Sequence, residues 1–112
     1  MLFVGDRTPR GREFSVHAAE QANARRYTIQ DIDDIIDDWT HKLYQPGGRS
    51  VYIRKQSYGY DVVIMDRNGR TIVSVIGGNM RNGYIGPNTL KTLELVREML
   101  KWQGGYSTIS MP

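Results

Sequence analysis

Residues 60–75, "YDVVIMDRNGRTIVSV", decide how this chain is to be read. Two runs rich in β-branched residues, Val62 to Met65 and Thr71 to Val75, flank "DRNG", a residue set suited to a tight turn. The stretch therefore predicts a β-hairpin rather than a helix. The turn admits two registers, a two-residue Asn68–Gly69 loop or a three-residue loop with Gly69 in a bulge. A one-residue slip moves every side chain of a strand to the other face, so the residues sharing a face with Ser74 stay undetermined. Upstream, "SVYIRK" (50–55) has the same character and extends the hairpin to an antiparallel meander of at least three strands.

On the N-terminal side the period changes to that of helices. Ser15 is an N-cap candidate for a short alanine-rich helix reaching about Arg25, with Ala18, Ala22 and Arg25 on one stripe and His17, Gln21 and Ala24 on the next. "TIQD" (28–31) is a capping-box variant with Asp31 in the place of Glu or Gln, and Ile32, Ile35, Ile36 and Trp39 follow at helical spacing. Asp31 and Asp33 suit the start of that helix, whereas Asp34, Asp37 and Asp38 are expected to be hydrated on its outer face. Beyond the meander come a break at Gly77–Gly78, a loop "NMRNGYIGPN" (79–88), and a helix capped by Asn88 or Thr89. Leu90, Leu93, Val96 and Leu100 turn inward there, and Gly104 stops it. Residues 1–13 show no period and read as a leader, and 105–112 read as a loose tail. The expectation is a single α+β domain over 14–104, two helices on a small twisted antiparallel sheet with a closing C-terminal helix.

A chain of 112 residues with 39% hydrophobic content supports one core. No apolar run approaches the roughly 20 residues that span a bilayer, and the start lacks the layout of a signal peptide. No membrane binding by this domain is expected. The absence of cysteine excludes disulfide scaffolds, thiolate nucleophiles and cysteine-ligated zinc. Net charge is +3 and pI about 9.3, but "DIDDIIDD" (31–38) holds five aspartates and no cation. The remainder is strongly basic, as a polyanion-binding face with a separately charged back would be.

Metal chemistry has one opening, Asp33 with Asp37 or Asp34 with Asp38, four apart on a helix. Aspartates opposite an isoleucine stripe are more simply a solvated face, and no metal is expected. His17 and His41 lack ligand spacing. "GGRS" and "GGNMRNG" lack the strand–loop–helix setting of phosphate loops, and Gly-x-Ser-x-Gly is absent. Histidine with cations and hydroxyls remains. That set can cleave RNA without metal or cofactor, because histidine exchanges protons near neutral pH and Lys or Arg balances phosphoryl charge. The candidates are His17 with Tyr52, Arg54 and Lys55 on one strand and Arg70, Thr71 and Ser74 on another. Each also has a plain reading: a half-buried helix histidine, edge-strand charges, a small core filler.

"HAAEQANARRYTIQDIDDII" (17–36) resembles the opening of bacterial toxin nuclease domains of the barnase/EndoU/colicin/RelE-like class. In that class a His-Ala pair begins a helix, an arginine follows eight residues later, and a hydrophobic-Ser/Thr pair opens an acidic second helix. Here these are His17, Ala18, Arg25, and Tyr27 with Thr28. "YDVVIMDRNGRTIVSV" is similar to the hairpin of the class, ending in Val73, Ser74 and Val75. Gln21 stands where the class commonly has arginine, and Arg26 where it often has glycine.

The resemblance implies a metal-independent endoribonuclease toxin, cutting RNA, often tRNA, by 2′-hydroxyl attack to leave a 2′,3′-cyclic phosphate. It implies His17 as general acid or base, Arg54 or Lys55 and Arg70 stabilising the phosphorane, and Ser74 orienting phosphate or the 2′-hydroxyl. Arg25, Arg26, Tyr52 and Thr71 would then contact RNA. It also implies a fragment of a secreted or cell-surface bacterial effector, as in contact-dependent growth inhibition, acting in the target-cell cytoplasm. Its partners would be a cognate immunity protein, for which Asp34, Asp37 and Asp38 offer an acidic anchor, and optionally a host translation factor. Two alternatives need no histidine: a non-catalytic RNA- or ribosome-binding domain, and a protein-interaction module.

Overall fold

The computed structural model describes residues 1–57, 59–77, 88–101 and 107–110. Along the chain the elements are β1 (Glu13–Phe14), α1 (Val16–Ala24), α2 (Ile29–Asp37), β2 (His41–Tyr44), β3 (Ser50–Gln56), β4 (Gly59–Met65), β5 (Thr71–Gly77), α3 (Asn88–Lys101) and β6 (Ser107–Ser110). The sheet runs β1-β5-β4-β3-β2-β6, antiparallel throughout except for the parallel β1–β5 pair. The fold is α+β, as expected, with a mixed rather than purely antiparallel sheet.

Strand β4 explains its own composition. Val63 and Met65 pack beneath α1 and α2 with Phe14, Ala18, Ala22, Ile32, Ile35, Ile36, Ile72 and Val75, whereas Val62 faces Leu43, Val51, Ile53, Val96 and Met99 on the α3 side. A strand covered on both faces is apolar at consecutive positions, which is why "VVIM" shows no alternation. Met99 is a core residue of α3 in addition to Val96, with Leu100 packed alongside. Gly78, Gly104, the greater part of the 79–88 loop and the side chain of Leu90 lie outside the described residues.

Neither expected hairpin register occurs. Four residues, Arg67 to Arg70, lie between Asp66 and Thr71; the Asp66 N–H donates to the Thr71 carbonyl at 2.8 Å and the Gly69 N–H to the Asp66 carbonyl at 2.9 Å. Gly69 has φ +71°, the left-handed conformation that favours glycine. The register then shifts: Met65 pairs with Ile72 but Ile64 with Ser74, leaving Val73 as an extra residue. This bulge resets the alternation, so that Ile72 and Val75, three apart, both reach the core under the first two helices.

Both helix starts follow the sequence. The Ser15 hydroxyl accepts from the Ala18 N–H, and Thr28 and Asp31 form the complete capping box. Helix α1 ends at Arg25, and Arg26 takes φ +58°, the conformation that a glycine after a helix ordinarily supplies. Trp39 lies beyond the end of α2 rather than on it, because the chain turns there into β2, whose four residues with one buried apolar side chain, Leu43, are too few to show a period.

The segment 1–13 is no detached leader. Its Thr8 N–H and Arg12 carbonyl bond at 2.8 Å, and its Phe14 end enters the sheet. Asn23 brackets Leu2 by accepting from its N–H and donating to its carbonyl, at 2.8 and 2.7 Å. Asp33 is 1% exposed and accepts from the Arg10 N–H and the Arg12 guanidinium, which also binds Asp37. The tail, in turn, contributes β6 against β2.

Candidate functional site

Strand β1 links the two regions from which a site can be assembled. Glu13 pairs with Thr71 at the start of β5, and three residues later the chain has entered α1, whose first turn carries His17. Four residues of chain span at most about 15 Å, which bounds the distance of the His17 backbone from that of Glu13. His17 is exposed, and among the described residues no hydrogen bond or ion pair holds its ring. Burial therefore gives it no structural role.

Between the 8–12 loop and the β4–β5 turn opens a cleft of about 240 Å³ lined by Arg7, Gly11, Glu13, Asn68, Arg70 and Thr71; Glu13, four residues before His17, is on its wall. Arg7 binds Glu13 at 2.5 Å. Asn68 fixes the rim: its carbonyl oxygen accepts from the Arg70 and Thr71 N–H groups at 2.8 and 3.0 Å, and its amide donates to the Thr71 hydroxyl at 3.0 Å. Arg70 is exposed and in no ion pair among the described residues. The cleft thus holds a free guanidinium, a second guanidinium neutralised by a carboxylate, and an oriented hydroxyl.

The other expected residues are dispersed. Arg54 faces the α1/α2 side beside Tyr52 and binds Asp38 at 3.1 Å; the Lys42 ammonium lies 4.9 Å from the Tyr52 ring centre. Lys55, next along β3, points to the opposite face, and Ser74, paired with Ile64, also faces the α3 side. Of the two hydroxyls that the uncertain register left in question, Thr71 lines the cleft and Ser74 does not. Arg25 donates to the Val75 carbonyl, and the Gln21 carbonyl oxygen accepts from the Val75 N–H at 2.7 Å. These two residues, with Ser15 donating to Val73 at 3.3 Å, close the free edge of β5. Gln21, where the class commonly has arginine, is part of the scaffold.

The acidic anchor is likewise partly engaged. Asp37 binds Arg10 and Arg12, Asp38 binds Arg54, and Asp34 accepts from Gln30 at 2.9 Å. Asp31 and Asp33 are buried rather than facing water. The Asp33–Asp37 pair, the geometric opening for a cation, holds the Arg12 guanidinium. Burial lowers the Arg12 pKa, but the hydrogen bonds and charges of Asp37 and Asp33 outweigh it and the pKa stands above its ordinary value.

Two polar groups escaped the sequence reading. Asp61 is fully buried, accepting from the Tyr27 hydroxyl at 2.5 Å and from Gln56 at 3.3 Å. A lone carboxylate opening an apolar strand was its only signal. His41 lies half-buried on β2, opposite Ile53, with Nδ1 buried and without a hydrogen-bond partner among the described residues. Burial, then the nearby Lys55 charge, pushes its pKa below the ordinary histidine value. Comparison with known protein families, with characterised proteins and with solved structures finds no match to this chain.

Proposed function

We propose that this domain is a metal-independent endoribonuclease acting at the corner between α1 and the β4–β5 turn. The observation that supports the reading is the β1–β5 pairing, which sets Glu13, four residues before the exposed His17, on the wall of a cleft bearing Arg7, Arg70 and Thr71. In this reaction a base removes the 2′-hydroxyl proton, the 2′-oxygen attacks phosphorus, the bond to the 5′-oxygen breaks, and an acid returns a proton to that oxygen. His17 exchanges one of these protons, Arg70 balances charge on the phosphoryl oxygens, and the Thr71 hydroxyl orients the phosphate. The products are a 2′,3′-cyclic phosphate and a free 5′-hydroxyl. Arg54, Lys55 and Ser74, each elsewhere on the sheet, have no part in this version.

The resemblance to toxin nucleases supports tRNA as the substrate, delivery within a larger secreted or surface effector, action in a target-cell cytoplasm, and control by an immunity protein. The dispersal of the cationic residues favours one other reading, a domain that binds RNA without cutting it. The two separate on incubation of purified protein with total bacterial RNA in EDTA, with and without cell extract, beside His17→Ala. Discrete fragments ending in 2′,3′-cyclic phosphate, reduced about 10²–10⁴-fold in the variant at unchanged melting temperature, are expected. Intact RNA from folded protein under both conditions would overturn the nuclease reading and leave the RNA-binding domain and the protein-interaction module.

A further inference from the structure

Among the described residues, Arg7, Arg10, Arg12 and Arg54 bind carboxylates, whereas no ion pair is formed by Arg25, which donates to the Val75 carbonyl, by Arg97 on α3, or by Arg49, Arg67 and Arg70. The last three are exposed and sit together on turns at one end of the sheet. Arg49 closes the β2–β3 turn, where the Gln45 N–H donates to the Arg49 carbonyl at 2.8 Å and the Gly48 N–H to Gln45 at 3.0 Å. Arg67 and Arg70 belong to the β4–β5 turn. The two turns touch: Gly48, with φ +90°, brings its backbone so near Arg67 that a Cβ there would lie 3.3 Å from the Arg67 Cβ.

Two carboxylates of this end have partners other than these three guanidinium groups. Glu13 binds Arg7, and the Asp66 side chain accepts from the Arg67 N–H at 2.8 Å. Both turns are cross-braced by main-chain bonds, and the second also by Asn68. The three guanidinium groups therefore stand on fixed bases, side by side, and among the described residues none of them is in an ion pair. Strands in a sheet are about 4.8 Å apart, so the row from β3 to β5 is on the order of 10 Å wide and ends at the cleft. A short row of unneutralised cations on rigid turns matches a chain of phosphates, which guanidinium groups bind through paired N–H donors.

We propose that Arg49 and Arg67 form a docking track for the RNA backbone, holding the strand that enters the Arg70 cleft. The inference rests on the ribonuclease reading for the identity of the polyanion, but its test does not depend on cleavage. A fluorescein-labelled, fully 2′-O-methylated RNA hairpin lacks the attacking hydroxyl, so its binding is read apart from chemistry by anisotropy at salt concentrations between about 50 and 200 mM. Relative to the unaltered protein, the double variant Arg49→Gln, Arg67→Gln is expected to bind roughly tenfold more weakly, with the log–log salt slope reduced by roughly 1 to 2. Arg49→Lys, Arg67→Lys keeps the charge and the slope, and guards against a misfolded glutamine variant. Cleavage of unmodified RNA is scored on the same preparations. Its absence alongside track-dependent binding sinks the nuclease reading and leaves the track standing. Equal binding by unaltered and glutamine proteins, or no salt-sensitive binding by the unaltered protein, overturns the track.

Discussion

His41 shows how one ring can tie stability to pH. Its Nδ1 is buried without a partner among the described residues and its pKa is lowered by burial and by Lys55, so the folded state favours the neutral ring more than the unfolded chain does. The sign follows: the unfolded state binds more protons, and stability is full above the ordinary histidine pKa of about 6.5 and falls as pH drops through the lowered folded value. The melting temperature should fall between about pH 7 and pH 5, and by less in His41→Gln, where no ring charges. Equal pH dependence in the two proteins would show that His41 does not carry it. Residue-scale reading of the sequence succeeded with Ser15 and Thr28, because a cap is decided by its own few neighbours. It failed for Asp33 and Asp61, because a carboxylate's burial depends on partners 21 and 34 positions away.

At the scale of elements, α1 supports the sheet edge-on. Past its short pairing with β1, strand β5 would present unpaired backbone groups, and Ser15, Gln21 and Arg25 satisfy three of them from the side. Edges of this kind are otherwise templates for unwanted pairing. Gln21→Ala leaves the Val75 N–H without its acceptor and should cost about 1–3 kcal/mol, read by urea denaturation, with greater aggregation near the midpoint. Elements themselves were legible where they were long and regular: the hairpin, α2 and the closing helix. β1, β2 and β6 were not, since two to four residues cannot display a period. The candidate site was legible only in part: Arg70 and Thr71 line one cleft, but Arg54, Lys55 and Ser74 were assigned without a register, and the bulge at Val73 sends Ser74 to the far face.

For the whole molecule, the N-terminal segment completes the fold. Arg12 occupies the notch between Asp33 and Asp37, and Phe14 fills the core at 1% exposure. Deleting residues 1–12 strips Asp33 of both donors, leaving a buried carboxylate unpaired, for which about 3–5 kcal/mol is typical. The truncated chain should melt far below the full one by calorimetry; an unchanged transition would restore the detached-leader view. Charge is segregated on the same scale: Arg10 and Arg12 of the N-terminal segment answer the aspartates of α2, while Arg49, Arg67 and Arg70 on the turns stay outside ion pairs among the described residues.

The parallel pairing of β1 with β5 also imposes an order of events. Glu13 waits for Thr71, so a chain emerging from its N-terminus, from a ribosome or a pore, has both early helices outside before the strand that covers them arrives. Until then the apolar stripes of α1 and α2 stand uncovered, and closing so long a loop slows the search for the native pairing. The stage most open to capture by a chaperone, or to aggregation, is therefore the half-emerged chain rather than the finished domain.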